Sequence, residues 1–365
     1  MKIVQLLPEL NEGGVERGTM ELSREFVKLG HESIVISNGG KLVSTIEKDG
    51  GKHIKFDVAS KNLLTSISRV YGLRKLLKEL NPDVIHARSR VPAWLSFLAN
   101  KTLHIPFVTT VHGLNSVNAY SKVMTYGDRV ICVGEAVKEH IMNGYNLDNS
   151  DNRITVIQRG VDLERFNKNC INQNFINKFI KEYNLNDKFI VSTVGRITWL
   201  KDYETFIESI AIAKKDIPNI TGIIVGGARE DKLDYLESLK NLAIKFDVLD
   251  NIKFVGSQSN MAEIYYLSDI LINASLKMGN VARTVIEALA MDTPVIATTY
   301  EGLKDIVIDG KNGAIIETKN ALQLAKKIVE VKQYDYQNVS HTIPKEYTLD
   351  VMTKSTLRVY KEALE

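Results

Sequence analysis

Phe189-Ile190-Val191-Ser192-Thr193-Val194-Gly195-Arg196 is a short, β-branched apolar run that ends on a glycine and a cation. Ile197-Thr198-Trp199-Leu200-Lys201-Asp202 follows, and a helical pattern comes next. A continuous apolar run of this length reads as a strand buried on both faces of a parallel sheet. Gly195 frees the backbone at the carboxyl end of that strand. Arg196 offers a planar fork of donors there, and Lys201 a compact charge. Spacing alone fits two readings: a pair that grips an anion, or two solvated cations in a loop.

Outward from this strand the pattern repeats. Gly222–Val225, Ile252–Val255, Asp269–Ile272 and Pro294–Thr298 are further runs with helical patterns between them. An earlier series holds Ile3–Leu7, Ile34–Ile36, Phe107–Val111, Arg129–Val133 and Ile154–Ile157. Arg17–Leu29 and Arg69–Leu80 read as helices. In the second, Val70, Leu73, Leu76, Leu77 and Leu80 share one face, and Asn81-Pro82 stops it. The polar stretch 167–187, rich in Asn and Lys, separates the two series. The sequence thus predicts an α/β fold of two doubly wound, Rossmann-like domains facing a cleft. The expected bounds are 1–166 for the first domain, 167–187 for a linker and 188–344 for the second. A closing helix is expected within 345–365, over Leu349–Leu364, packing back on the first domain. Ligands of such folds bind at the carboxyl ends of strands.

Composition narrows the class. The 365 residues are 44% hydrophobic and 25% charged, near the averages of globular proteins. No apolar run approaches the ~18 residues of a membrane span, and MKIVQLLPEL is followed by Glu12 and has no cleavage site. Cys132 and Cys170 are too few for a disulfide scaffold or a cysteine-rich zinc site, and they fit a reducing cytoplasm. A net charge of +3 is too small to mark a nucleic-acid binder. No HExxH, Walker lysine loop, Gly-x-Ser-x-Gly elbow or Asp-x-Asp pair at a strand end is present.

Other local features carry two readings each. Gly13-Gly14 after the first strand is either a plain βα turn or one whose amides approach an anion. His112 after a strand is a structural histidine or a substrate-facing one. Glu135 is a first-turn acid favoured by the helix dipole, or a substrate contact. Arg88 and Arg90 pair at the surface, or bind an acidic or phosphorylated acceptor. The basic segment Lys61–Leu80, with Leu63, Leu64 and Ile67, lies on an anionic membrane, or is a packed core helix with a solvated face.

Taken in order, these segments resemble retaining family-4 glycosyltransferases of the two-domain GT-B architecture. The resemblance rests on Gly13-Gly14-Val15-Glu16, His112-Gly113, Val133-Gly134-Glu135 and Arg159-Gly160-Val161-Asp162. It continues through Gly195-Arg196 with Lys201, Arg283-Thr284-Val285-Ile286-Glu287-Ala288-Leu289-Ala290 and Thr293-Pro294-Val295. His86-Ala87-Arg88-Ser89-Arg90-Val91-Pro92-Ala93-Trp94 resembles a bacterial branch that builds lipopolysaccharide or related surface glycans.

The resemblance implies roles. Arg196 and Lys201 hold the diphosphate of a nucleotide sugar, a UDP-sugar being one candidate donor, whose charge grows as the sugar bond breaks. Glu287 accepts from the ribose hydroxyls, and Thr284 sits by the phosphates at a helix start. Gly13 and Gly14 let the first loop approach donor and acceptor. Gly256 lies by the base, and His112 faces the transferred sugar from the opposite domain. No metal or other cofactor is implied. The family usually carries a second glutamate eight places before Glu287. Gly279 stands there, and Asn280 is the nearest polar substitute. Asp292 stands where Gly is usual, and Asp305 where Glu is usual. The expectation is a metal-independent, retaining transferase moving a sugar to a glycan or lipid-linked glycan acceptor. It is expected in the cytoplasm, with peripheral inner-membrane contact possible. The alternative, raised by Gly279, is a catalytically weak paralogue that binds nucleotide or glycan or scaffolds a partner enzyme.

Overall fold

A computed structural model describes residues 1–11, 13–148, 150–276, 283–299, 303, 306–334, 336 and 338–365. The chain divides into two compact units. The first comprises Met1–Gly160 with Glu346–Glu365, and the second Val161–Lys345.

In the first unit, strands β1 (Lys2–Leu6), β2 (Glu32–Ser37), β3 (Lys52–Lys55), β4 (Val84–Ala87), β5 (Phe107–Val111), β6 (Arg129–Cys132) and β7 (Ile154–Val156) form one parallel sheet, ordered β3-β2-β1-β4-β5-β6-β7. Side chains alternate between its faces. Val4, Leu6, Ile85, Val130 and Cys132 enter one core, while Ile3, Val84, Val108 and Ile131 enter another. Both faces are covered, which is why these strands read as unbroken apolar runs.

The second core is closed from the far end of the chain. Thr348 caps the helix Leu349–Leu364 by accepting from the Val351 N–H, and Leu349, Met352, Val359 and Tyr360 are buried against the sheet. Tyr360 packs on Phe26 at 5.7 Å and on His86 at 5.5 Å.

The helix Ser66–Leu80 seats Arg69, Leu73 and Leu77, and ends on Asn81 in the left-handed conformation (φ 45°). Leu63, Leu64 and Ile67 are exposed, so the core-packing reading of that apolar group is wrong. Packing uses the Leu73–Leu77 face, whereas Leu63 and Leu64 precede the helix and Ile67 lies off that face in its first turn.

In the second unit, β8 (Phe189–Val194), β9 (Ile220–Val225), β10 (Ile252–Gly256), β11 (Ile270–Asn273), β12 (Val295–Thr298) and β13 (Gly313–Ile316) form a parallel sheet ordered β10-β9-β8-β11-β12-β13. The stretch read as a linker folds within this unit. The helix Gln173–Tyr183 buries Ile176 and Phe179, and Asn172 caps it while donating its own N–H to Glu263 at 3.0 Å. Asp292 adopts φ 59°, a conformation that favours glycine. Its carboxylate accepts the Ser340 N–H at 2.6 Å and pairs with Lys168 at 2.6 Å, contacts that glycine lacks.

Candidate active site

Each sheet reverses its winding at one place, between β1 and β4 in the first unit and between β8 and β11 in the second. Crevices at the carboxyl ends of strands form at such reversals. Gly13 and Gly14 after β1, Arg88 after β4, and Arg196 and Lys201 after β8 lie beside these reversals.

In the first unit, the chain leaving β1 turns at Gly13 into the helix Gly14–Lys28. A Cβ on Gly14 would stand 2.5 Å from a guanidinium nitrogen of Arg159, so any larger residue here would push that guanidinium aside from the turn. The chain leaving β4 places Arg88 and Arg90, and the chain leaving β5 places His112. Together with Glu16, Thr110 and Asn115 these groups line a cavity of about 310 Å³.

Arg88 is 6% exposed. It donates to the Gln5 side-chain oxygen at 3.0 Å, and its Nε has no partner. Burial pushes its pKa down to about 10, so it stays charged at neutral pH. No carboxylate pairs with it among the described residues. A buried, unpaired cation is costly, and folding alone gives no reason to keep it.

His112 Nδ1 lies 3.4 Å from Arg159. A guanidinium only donates, so Nδ1 accepts and the ring proton sits on Nε2. Burial, then the charge of Arg159, hold its pKa well below the usual histidine value. Nε2 is buried without a partner. The ring is thus a neutral donor with an unclaimed N–H at the cavity.

Behind it, His86 is fully buried between Tyr360 Oη (2.6 Å from Nδ1) and Thr110 Oγ1 (2.6 Å from Nε2). Burial, then the Arg88 charge, keep it neutral as well. Glu135 is exposed in the first turn of its helix and does not line this cavity.

In the second unit, Arg196 is exposed, and its guanidinium has no hydrogen-bond or ion-pair partner among the described residues, while its carbonyl accepts from the Tyr203 hydroxyl at 3.4 Å. Its loop is fixed by Tyr203, whose hydroxyl donates to the Gly195 carbonyl at 2.6 Å. Lys201 is half-buried, and its stem crosses Gly195, where a Cβ would lie 2.6 Å from the lysine Cε. Lys201 Nζ donates to Ser275 Oγ at 3.3 Å, beyond the end of β11. Burial, then the Arg196 charge, lower the lysine pKa. Two cations share this strand end, and among the described residues no carboxylate pairs with either, which is electrostatically the preparation for an anion.

Glu287 lies on the helix Arg283–Ala290 and is 6% exposed. Oε1 pairs with Arg283 at 3.2 Å, and Oε2 accepts from Tyr265 Oη at 3.0 Å. A carboxylate has about four acceptor positions, so both oxygens keep capacity for a ligand hydroxyl. Thr284 is half-buried, one turn earlier on the same helix face. Gly256 ends β10 with φ 66°, exposed, and its carbonyl accepts the Gly226 N–H at 2.9 Å. Gly279, Asn280 and Asp305 lie outside the described residues. Sequence reasoning assigned no role to Thr110, Ser275 or Tyr265. Only the folded contacts reveal them, since a lone hydroxyl carries no pattern.

Two family models divide the chain much as the two sheets do: Glycosyltransferase Family 4 matches residues 12–165, and Glycosyl transferases group 1 matches residues 175–340. A glycosyltransferase from Rickettsia africae superposes with a TM-score of 0.87 at 30% identity, over 100% of this chain and 98% of its own. The Anabaena HepE protein, solved in complex with UDP-glucose, has a TM-score of 0.82 at 19% identity, over 99% of this chain and 100% of its own, a likeness of fold. N,N'-diacetylbacillosaminyl-diphospho-undecaprenol alpha-1,3-N-acetylgalactosaminyltransferase of Campylobacter jejuni is 27% identical over 296 residues, 75% of this chain and 74% of that one. Paired parallel-sheet units with these matches define a glycosyltransferase of GT-B architecture. The chain belongs to glycosyltransferase family 4.

Proposed function

We propose that the protein is a retaining, metal-independent glycosyltransferase that moves a sugar from a nucleotide diphosphate, UDP being the first to test, to a lipid-linked intermediate of a bacterial surface glycan of the lipopolysaccharide type. The observation that carries the reading is the Arg196–Lys201 pair, two cations at the switch point of the second sheet with no carboxylate paired to them among the described residues. They neutralise the leaving diphosphate. Glu287 accepts from the ribose hydroxyls while Arg283 and Tyr265 hold it in place. Thr284 sits by the phosphates, and Gly256 by the base. In the first unit, the His112 Nε2–H donates to a hydroxyl of the transferred sugar. Arg88 faces a phosphate-bearing acceptor, a class that the Campylobacter relative's name includes.

In the reaction, the bond from the anomeric carbon to the diphosphate oxygen breaks. The acceptor oxygen bonds to that carbon on the same face, and its proton passes to the leaving phosphate. Protein groups position the reactants and stabilise charge. Gly279, in place of the usual glutamate, favours a second reading, a nucleotide or glycan binder with weak turnover.

A panel of nucleotide sugars incubated with polyprenyl-diphosphate-linked sugars, read by mass spectrometry and by the anomeric coupling of the product in NMR, tests both. An α-linked product from an α-linked donor supports transfer with retention. Tight donor binding with no product supports the binder, and an inverted product removes the retaining mechanism.

A further inference from the structure

Among the described residues, the four most exposed large hydrophobic side chains fall between positions 63 and 71: Leu63 (82%), Leu64 (93%), Ile67 (81%) and Tyr71 (70%). They occupy the first turns of the helix Ser66–Leu80 and the turn before it, opposite the Leu73–Leu77 face that packs on the core. The turn is built rather than loose. Buried Arg69 donates to the carbonyls of Ser60 and Asn62 at 2.9 and 2.8 Å, which holds Leu63 and Leu64 outward.

Charge is concentrated in the same place. Residues 61–80 carry Lys61, Arg69, Arg74, Lys75 and Lys78 against Glu79 alone, a net +4 in a chain whose total is +3. All other residues together are therefore slightly acidic. Lys61, Lys75 and Lys78 are exposed. The neighbouring carboxylates are Asp57, 3.8 Å from Arg69, and Glu79, 3.9 Å from Lys75.

We infer that this surface docks on an anionic lipid bilayer. Leu63, Leu64 and Ile67 enter the boundary of the acyl chains, Tyr71 sits at headgroup level, and the three lysines meet lipid phosphates. Charge selects this occupant over a second copy of the chain. A two-fold pairing of the patch would set Lys61, Lys75 and Lys78 against their own counterparts. The inference goes beyond glycosyl transfer and does not depend on it.

Vesicle flotation tests it, using neutral phosphatidylcholine vesicles and vesicles of phosphatidylcholine mixed with anionic phosphatidylglycerol. The full chain is expected to float with the anionic vesicles, to stay behind with the neutral ones, and to be released by high salt. K61Q/K75Q/K78Q weakens partitioning about fivefold per lysine, and L63S/L64S/I67S about tenfold per residue. All six positions are exposed, so both variants keep the wild-type melting temperature. Absence of flotation with anionic vesicles overturns the inference, as does undiminished flotation of the apolar variant. A stable dimer in light scattering that L63S/L64S/I67S dissociates also overturns it, assigning the patch to self-association. No donor or acceptor is present in the flotation, so its failure leaves the transferase reading untouched.

Discussion

Arg88 follows β4 at the switch point of the first sheet and is 6% exposed, whereas Arg196 follows β8 at the switch point of the second and is exposed. The topology is shared, but the treatment of charge is opposite. The first unit desolvates its cation and keeps His86 and His112 neutral around it. The second leaves Arg196 in water and half-buries Lys201 beside it. A solvated cation costs little and binds by mass of charge. A desolvated one costs stability, yet recognises a single anion or hydroxyl with high geometric selectivity.

The largest expected effect lies in the second unit. R196A/K201A should weaken UDP binding at least 100-fold by calorimetry, since each cation contributes about 1.5–3 kcal/mol to a charged hydrogen bond. The melting temperature should move little. Unchanged affinity would place the nucleotide elsewhere and dissolve the contrast.

Next, R88M should cut transfer to a phosphate-bearing acceptor by ten- to 100-fold while leaving UDP affinity alone. It should also hold or raise the melting temperature, because it removes an unpaired buried charge. A destabilised variant would show that Arg88 serves folding instead.

Acid provides a third way to separate the units. His86 and His112 titrate near 6.5 when unfolded and well below that when folded. Below pH 6.5 the unfolded chain therefore binds more protons, and stability falls as pH drops. The slope is up to about 1.4 kcal/mol per pH unit for each ring still neutral. Urea midpoints at pH 7.5, 6.0 and 5.0 should show this loss above the carboxylate range. H112Q should flatten the slope, and an equal slope in that variant would remove His112 from the account. The smallest effect is Y265F, which takes one partner from Glu287. It should cost about 1 kcal/mol of stability and a few-fold in donor affinity.

Legibility in the sequence followed burial. Strands with both faces covered, such as Phe107–Val111 and Phe189–Val194, were readable as apolar runs. Lys52–Lys55 was not, because this edge strand is exposed at both ends. Val84–Ala87 carries His86 in its middle, whose polarity is absorbed by Tyr360, 274 positions away. Gln173–Tyr183 looked like linker because it buries only Ile176 and Phe179. At the site, Arg196, Lys201 and Glu287 were legible as an ordered family pattern. The unpaired state of Arg88 and the donor role of His112 were not, since both depend on which neighbours the fold fails to supply.

The helix Leu349–Leu364 completes the first unit although the whole second unit precedes it in the chain. On a translating ribosome, Tyr360 emerges some 200 residues after Gly160, a wait of about 10–40 s at ordinary elongation rates. Protease digestion of ribosome-bound chains that end at residue 345 and continue into a linker long enough to clear the exit tunnel should find the later-made half resistant while the earlier-made half is still cut. The order of maturation then runs against the order of synthesis. The half-built sheet spends that interval with the face that receives Tyr360 uncovered, which makes it the segment for chaperones to guard.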